Sequence, residues 1–255
     1  EIAKLCKKSG VRFIFPSSCS VYGVSDSESS EISLPDPQTP YSLNKVQVEE
    51  DLSSIADKDF SPIALRLATV YGISPRMRFD LVINMFCGMA LTQKKIILNS
   101  NGLAWRPNIH IYDVCQAFRK CIEWNYSKDE LMILNVGRND GNAQIIDLAN
   151  KVAGEVDGCK VRFANDSDEE IVKDRNINDG VDKRNYKVNF DKIHKTLPDF
   201  QPEFNLDDGI KNLLSELTKE KLTLDKFKKR DFYRLQSIEY LYQTKQIDKN
   251  LHWVN

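Results

Sequence analysis

Short apolar segments alternate with helical patterns along the first 155 residues of this chain, and this alternation restricts the fold more than any other feature. Alternating strands and helices are typical of a parallel β-sheet whose strands are joined by helical crossovers. The sequence therefore predicts an α/β fold. Strands are predicted at 11–15, 62–70, 96–98 and 132–136, and helices at 81–91, 112–124 and 143–152.

The pattern becomes looser and more polar after about residue 160. One leucine-rich stripe predicts an amphipathic helix, and a second apolar stripe near the C-terminus predicts packing or a subunit contact. The acidic segments 25–38 and 164–182 are predicted as loops, the second being suited either to cover a substrate site or to remain solvated. The first stripe comprises Leu206, Ile210, Leu213, Leu214 and Leu217, and the second comprises Phe227, Leu235, Ile238 and Leu241.

Charge and cysteine content exclude several classes of function. The chain has 255 residues and a formal net charge of -1, which gives no electrostatic attraction to nucleic acid or to an anionic membrane. Its sequence has no apolar run of membrane-spanning length, and its charged first residues are not expected to be a signal peptide. The six cysteines form neither a C-x-x-C pair nor a Cys/His metal pattern, so we expect no metal site, mostly buried free thiols and a cytoplasmic location.

Tyr41 and Lys45 stand four residues apart on a predicted helix that begins at Thr39-Pro40. Thr is a good N-cap, and Pro is favoured at the first helical position. Side chains at this spacing project from one helix face. The helix follows the strand 11–15 and the small-residue segment 16–23, so both side chains are expected near the carboxyl end of that strand, where ligands of open α/β sheets bind.

A phenol beside an ammonium can transfer protons. The reference pKa of a tyrosine is about 10, so proton transfer near neutral pH requires roughly 4 kcal/mol of stabilisation of the phenolate. An ammonium at about 4 to 5 Å supplies some 3 to 4 kcal/mol at an effective dielectric near 20. A second positive charge, such as an oxidised nicotinamide ring, would complete the shift, and a hydroxyl such as Ser18 could hold the oxygen that exchanges the proton.

Five segments resemble the extended short-chain dehydrogenase/reductase family, which contains NAD-dependent nucleotide-sugar epimerases and dehydratases. The resemblance extends over residues 1 to about 215. It implies the C-terminal part of a doubly wound Rossmann-type parallel sheet with a smaller α+β substrate lobe. The segments are 13–23 (FIFPSSCSVYG), 41–45 (YSLNK), 65–72 (LRLATVYG), 106–114 (RPNIHIYDV) and 135–137 (NVG).

The Gly-rich turn with which such proteins begin is missing from this sequence. The eleven glycines are scattered, and none follows the G-x-G-x-x-G pattern that places amides against a dinucleotide. We therefore expect an N-terminally truncated member of the family. The resemblance divides it into half of an NAD(P)-binding domain (1–72 and 107–155), a substrate-binding lobe (73–106 and 156–222) and a helical extension (223–255).

The resemblance also implies roles for individual residues. Ser18, Tyr41 and Lys45 match the catalytic hydroxyl, the acid/base and the lysine that binds the nicotinamide ribose. Thr69 stands where many epimerases have an Asn against the nucleotide sugar. The implied cofactor-binding residues are Ser17, Tyr41, Lys45 and Val70, and the implied substrate-binding residues are Ser18, Thr69, Asn84, Arg106 and Arg184.

The residues after Ser18 restrict the reaction. Related 4,6-dehydratases carry an acidic pair there, whereas this chain has Cys19 and Ser20, so elimination lacks its acid and base. The Ser-Ser-Cys string also resembles deoxysugar epimerase-reductases, but their partner histidine is absent from 73–78. A plain 4-epimerase is therefore preferred. A reductase or dehydratase of the same family, and a non-catalytic truncated binding module, remain alternatives.

The resemblance further implies the ligands and partners. The cofactor is expected to be NAD, with NADP not excluded, and the substrate a nucleotide-diphosphate sugar. No nucleic-acid or membrane partner is expected. The full-length protein is predicted to be a homodimer that packs the helices 1–9 and 40–56 of each subunit.

Overall fold

A computed structural model describes residues 1–164 and 184–254. Strands and helices alternate through most of the described chain, and three short 3-10 turns lie between them. The strands are β1 (Ile14–Ser18), β2 (Val24–Ser29), β3 (Ile63–Leu67), β4 (Thr69–Tyr71), β5 (Lys95–Leu98), β6 (Trp105–His110), β7 (Met132–Val136), β8 (Asn142–Gln144), β9 (Lys160–Phe163) and β10 (Asn185–Val188). The helices are α1 (Ile2–Lys8), α2 (Pro40–Ile55), α3 (Val82–Gln93), α4 (Ile111–Glu123), α5 (Ile145–Gly154), α6 (Asp191–Thr196), α7 (Leu206–Lys219), α8 (Leu224–Phe227) and α9 (Arg234–Gln243).

The central sheet has the strand order β1-β3-β7, and both pairings are parallel. Smaller sheets are formed by β4-β6-β8, by β2 with β10 and by β5 with β9. Ser17 lies beside Arg66, and Arg66 lies beside Asn135, so these three residues form one row across the sheet. The parallel sheet with intervening helices confirms the predicted α/β class.

Two hydrophobic clusters stabilise the described residues. The sheet cluster surrounds β1, β3 and β7, and the lobe cluster joins α3, α5 and α7 to β5. Residues 143–156 contribute to the lobe cluster, although the resemblance grouped 107–155 with the dinucleotide-binding part; the domain division itself stays a prediction. The sheet cluster includes Tyr22, Ile63, Leu65, Leu134, Val136 and Phe190, and the lobe cluster includes Phe79, Phe86, Ile96, Leu148, Leu213 and Phe227.

The predicted start of α2 is confirmed. The Thr39 hydroxyl accepts a hydrogen bond from the Ser42 N–H at 3.1 Å, and the Ser42 hydroxyl accepts one from the Thr39 N–H at 3.1 Å. This reciprocal capping box satisfies two backbone donors that the first helical turn leaves unpaired. The helix therefore begins at Pro40, one residue before Tyr41.

The predicted leucine-rich helix is confirmed as α7, and all five residues of its stripe are buried. The second apolar stripe is not continuous. Phe227 packs edge-on against Phe79 in the lobe cluster, with a ring-centroid distance of 4.9 Å, whereas Leu235 on α9 is exposed. A short 3-10 turn separates α8 from α9, so a single helical period does not apply there.

Several sequence predictions need correction. The segment 25–38 is not entirely a loop, because β2 pairs in parallel with β10 at a distance of more than 150 residues along the chain. The strand predicted at 62–70 divides into β3 and β4, and the helix predicted at 143–152 begins at Ile145 after the short strand β8. Residues 165–182 of the second predicted loop lie outside the described residues.

The cysteines are free thiols, as predicted, but only three of them, Cys19, Cys87 and Cys121, are buried. Cys115 is exposed. Within 1–164 and 184–254, no helix combines the length and the apolar character needed to cross a membrane.

Gly209 allows α7 to approach β4 closely. A methyl group added at Gly209 would lie 2.1 Å from the Tyr71 hydroxyl oxygen. Gly209→Ala is therefore expected to lower the free energy of unfolding by about 1–3 kcal/mol, because the buried Tyr71 ring must shift. Urea denaturation of the two proteins measures this difference.

Gly154→Ala is the matched control. Gly154 ends α5, has no atom within 4 Å of an added methyl group and has no positive φ. This change should be neutral or stabilising by up to about 1 kcal/mol, because Ala loses less backbone entropy than Gly in a helix. Equal stability of the two variants would contradict the close contact between Gly209 and Tyr71.

Candidate active site

Tyr41 and Lys45 lie beside the end of β1. The Lys45 ammonium donates a hydrogen bond to the Pro16 carbonyl at 2.6 Å and lies 4.6 Å from the centroid of the Phe15 ring. The same ammonium is 5.4 Å from the centroid of the Tyr41 ring. Burial lowers the pKa of Lys45, and the negative charge of Glu49 partly opposes that shift. Tyr41 remains 56% exposed, so its phenol is open to a ligand.

Ser17 and Ser18 end β1 and have different environments. The Ser18 side chain is half-buried, and its hydroxyl oxygen accepts a hydrogen bond from the Ser20 N–H at 3.2 Å. Ser17 is buried, and its hydroxyl donates to the Glu49 carboxylate at 2.5 Å. The Ser17 hydroxyl thus already has a protein partner, and a cofactor could approach this residue only through other atoms unless that bond breaks.

Cys19 and Ser20 lie in the buried turn after β1. The Cys19 thiol donates to the Arg66 carbonyl at 3.1 Å, and burial raises its pKa far above the usual range for a thiol. The Ser20 hydroxyl is also buried and has no hydrogen-bond partner among the described residues. Neither side chain is an acid or base available to a substrate at neutral pH.

A buried polar network lies under the site and was not anticipated from the sequence. Glu49 and Arg66 form a bidentate ion pair with distances of 3.0 Å from Nε to Oε1 and 2.6 Å from Nη2 to Oε2. The Arg66 Nη1 group donates to the Tyr22 hydroxyl at 3.0 Å, and that hydroxyl donates to Asn135 Oδ1 at 2.8 Å. We call this set, with Ser17, the Glu49–Arg66 network.

The sequence does contain a signal for this network. Arg66 interrupts an otherwise apolar buried strand, and a buried arginine requires a carboxylate or other acceptors. Glu49 follows Lys45 by four residues and so lies on the same helix face, toward the sheet. Taken together, these two positions are the signal from which a helix-to-strand ion pair could have been predicted.

Thr69 and Val70 are half-buried residues of β4, which pairs with β6. Asn84 is buried on α3, where its side-chain oxygen accepts from the Gly72 N–H at 3.0 Å and its amide nitrogen donates to the Arg78 carbonyl at 3.0 Å. These two bonds fix the segment between β4 and α3. The Asn84 amide thus has two protein partners, and its contact with a substrate stays a prediction.

Arg106 and Arg184 lie next to each other. The Arg106 side chain is buried on β6, donates to the Trp105 carbonyl at 2.8 Å and to the Arg184 carbonyl, and lies over the Tyr186 ring. Arg184 is half-buried and precedes β10. Apart from Asn84 on α3, the predicted residues therefore form two groups, one around the end of β1 and the start of α2, and one on β4, β6 and the start of β10.

His110 makes structural contacts at the junction of β6 and α4. The ring is buried at the start of α4, where its Nδ1 atom accepts from the Tyr112 N–H at 3.4 Å. It packs against Phe204 with a centroid distance of 4.0 Å and edge-on against Tyr71 at 5.4 Å. Burial lowers the pKa of His110 to about 4, so the imidazole is neutral at physiological pH.

Comparison with known proteins indicates the family. A family model described as NAD dependent epimerase/dehydratase matches residues 1–137. An uncharacterised protein of Schizosaccharomyces pombe is 28% identical over 233 residues, covering 81% of this chain and 61% of that protein. UDP-glucose 4-epimerase of Mycoplasma genitalium is 30% identical over 162 residues, covering 56% and 48% of the two chains. This chain thus spans about half to three fifths of the length of these relatives.

A solved structure has the same fold. UDP-glucose 4-epimerase of Thermotoga maritima with UDP-glucose superposes with a TM-score of 0.69 at 22% sequence identity. The match covers 86% of this chain and 68% of that chain. At this identity the likeness concerns the fold.

The burial of neutral His110 predicts a specific loss of stability in acid. Between the folded pKa of about 4 and the unfolded value near 6.5, the unfolded state binds more protons, so stability rises with pH. The contribution is complete above about pH 6.5 and is lost as the pH falls through 4, and it amounts to at most about 3 kcal/mol. His110→Asn should remove this component and flatten the pH dependence of the unfolding free energy.

His252→Asn is the control, since the His252 side chain is largely exposed. It should retain the wild-type pH dependence. The measurement is urea denaturation between pH 4 and 7. If His110→Asn and wild type lose the same free energy over this range, His110 is not buried in its neutral form.

Proposed function

Because this chain belongs to the NAD dependent epimerase/dehydratase family, we propose that the full-length protein is a nucleotide-sugar 4-epimerase with Tyr41 as its acid/base. The observation that carries this proposal is the position of the Lys45 ammonium. It lies between the Pro16 carbonyl, the Phe15 ring and the Tyr41 ring at the carboxyl end of a parallel strand. In open α/β sheets, that end of the strands is where ligands bind.

The residues around this ammonium fit a nicotinamide cofactor. An ammonium has three N–H donors, and one of them is used by the Pro16 carbonyl, so further donors can face ribose hydroxyls. Tyr41, Lys45, Val70 and the backbone at Ser17 would hold the cofactor. NAD, when bound, supplies reversible two-electron oxidation of the sugar carbon. A positive charge there would also favour the deprotonated form of a neighbouring phenol.

Residues of this chain would then transfer the proton to and from the sugar O4 atom. Tyr41 accepts the proton of the C4 hydroxyl while C4 is oxidised and returns it when C4 is reduced from the other face. Ser18 hydrogen-bonds the same oxygen, and Lys45 stabilises negative charge on the phenol oxygen. The product of one cycle is the C4 epimer, with no net change in the cofactor.

We further propose that Arg106 and Arg184 bind the diphosphate of the substrate and that Thr69 contacts its sugar or nucleotide. Arginine suits this task because its planar guanidinium forms charge-assisted, often bidentate hydrogen bonds with phosphate oxygens. The adjacency of Arg106 and Arg184 supports this assignment. UDP sugars are the first candidates, since the M. genitalium relative is a UDP-glucose 4-epimerase.

The buried turn after Ser18 favours epimerisation over dehydration. Elimination of water needs an acid for the leaving hydroxyl and a base for the neighbouring carbon. Cys19 is buried against the Arg66 carbonyl, and Ser20 is buried as well, so the turn offers no carboxylate for either task. A 4-epimerase requires only Ser18, Tyr41, Lys45 and the cofactor.

The full-length protein, supplied with NAD and UDP-glucose, is expected to form UDP-galactose without a lasting change of absorbance at 340 nm. Proton NMR of the anomeric region follows the product. Tyr41→Phe should lower kcat by about 10²- to 10⁴-fold, the range typical of a lost acid/base. Tyr112→Phe is the matched control, because Tyr112 also opens a helix and is 51% exposed, and it should keep the wild-type rate.

Other outcomes of the same assay identify the alternatives. A lasting rise or fall of absorbance at 340 nm would indicate a reductase or another enzyme with net redox turnover. A product that has lost water would indicate a dehydratase. Equal rates for Tyr41→Phe and Tyr112→Phe would exclude Tyr41 as the acid/base.

We also propose that the full-length protein is a homodimer formed through α1 and α2. Within α1 no residue is buried, and Ile2 and Leu5 are exposed apolar side chains, as is Leu43 on α2. Leu5→Lys is expected to shift the protein toward the monomer in sedimentation velocity, because it places a charge in the apolar contact. Leu235→Lys, at an exposed position of α9, should leave the dimer intact. A monomeric wild-type protein would refute this proposal.

A further inference from the structure

We propose that Glu49 is a positioning residue that fixes the helix carrying Tyr41 and Lys45 against the strand end carrying Ser18. This inference rests on the proposed function of the site. It assigns Glu49 no contact with the reacting atoms. Its task is to set the distance between two groups of residues that come from different parts of the chain.

The first argument is the position of Glu49 on α2. Tyr41, Lys45 and Glu49 follow one another at intervals of four residues, so they share one helix face at a rise of about 6 Å per step. Glu49 is the buried member of this series, with 4% of its surface exposed, whereas Tyr41 is 56% exposed. Fixing Glu49 against the sheet therefore also fixes the positions of Lys45 and Tyr41 at the more exposed end of this helix face.

The second argument is what Glu49 contacts. Its Oε1 atom accepts hydrogen bonds from the Ser17 hydroxyl at 2.5 Å and from Arg66 Nε at 3.0 Å, and its Oε2 atom accepts from Arg66 Nη2 at 2.6 Å. Ser17 directly precedes Ser18 on β1, and Arg66 lies beside Ser17 on β3. One carboxylate thus connects α2 to both strands, one residue before the predicted catalytic hydroxyl.

The third argument concerns energy. Two charges buried away from water lose solvation that their attraction barely repays, so an apolar pair of similar volume would stabilise the fold at least as well. Directional bonds provide a fixed geometry that apolar contacts do not. The Tyr22 hydroxyl and Asn135 complete the hydrogen bonding of Arg66, which prevents the guanidinium from turning away from Glu49.

Variants of the full-length protein separate positioning from stability. Ser17→Ala removes one bond of the Glu49–Arg66 network without changing charge. Glu49→Gln removes the carboxylate charge and keeps the size of the side chain. Leu52→Ala is the matched control, because Leu52 is buried on the same helix three residues after Glu49 and outside the network. The cavity that Leu52→Ala leaves should destabilise the fold without displacing the residues of the Glu49–Arg66 network.

Positioning predicts a loss in kcat with little change in KM for the nucleotide sugar or NAD. We expect kcat to fall by about tenfold or more in Ser17→Ala and about 100-fold or more in Glu49→Gln, since a misplacement near 1 Å can cost about 100-fold. Leu52→Ala should stay within about threefold of wild type at temperatures where it is folded. Ser17→Thr, which keeps the hydroxyl, should recover most of the rate lost in Ser17→Ala.

A measurement without cofactor or turnover tests the same inference. The pKa of Lys45 is followed by NMR of protein labelled with ¹³C-lysine, using Lys45→Met to assign the signal. In Ser17→Ala, loss of positioning should move the Lys45 ammonium out of its partly buried position and raise its pKa toward the ordinary value, because burial is the main cause of the lowered pKa. In Leu52→Ala the pKa should stay lowered. Glu49 is the charged group that acts on Lys45, and Ser17→Ala retains it.

The outcomes distinguish this inference from the proposed function. If wild type interconverts no nucleotide sugar, the proposed function fails, and the Lys45 signal still decides whether the network positions the helix. If Ser17→Ala matches Leu52→Ala in both kcat and the Lys45 pKa, Glu49 has only a structural role and the inference is wrong. If Glu49→Gln does not fold, Ser17→Ala and Ser17→Thr still give the answer.

Discussion

Glu49 and Arg66 form an ion pair in the interior, where 4% and 3% of their respective surfaces reach solvent. Removing one partner of such a pair typically costs about 3–5 kcal/mol, because the remaining charge is left buried without compensation. Glu49 lies on α2 and Arg66 on β3, and Ser17 on the neighbouring strand β1 also binds Glu49. Any change in the ion pair therefore affects both the packing of α2 on the sheet and the relation of Tyr41 and Lys45 to the end of β1.

Local signals predicted the parts of the fold that depend on local contacts. Thr39 and Pro40 specify the beginning of α2 through capping within one helical turn, and the stripe from Leu206 to Leu217 specifies α7 through its period. The pairing of β2 with β10 was missed because β2 is largely polar and the two strands lie far apart in the chain. Whether a polar segment forms a strand depends on the strand that it pairs with, and the sequence of that segment alone does not identify this partner.

The candidate site shows the same distinction at the level of single residues. The spacing of Tyr41 and Lys45 was sufficient to place them together, since four residues on a helix have one geometry. Spacing along the chain could not predict the partners of Ser17 and Asn84, because a hydroxyl or an amide can bind a ligand or a protein group equally well. In the structure the Ser17 hydroxyl binds the Glu49 carboxylate, and the Asn84 amide binds backbone groups of Gly72 and Arg78.

The row of Ser17, Arg66 and Asn135 across the central sheet has a consequence for the order of folding. The Glu49–Arg66 network joins residues 32, 17 and 113 positions apart along the chain. Contacts between residues so far apart form only after the intervening chain has closed into a loop, and this closure lowers the entropy of the chain before any contact stabilises it. The capped turn at Thr39 requires no such closure and can form early. The packing of α2 against β1 and β3 is thus expected to form later than this turn, and the Glu49 and Arg66 charges are expected to stay hydrated until it does.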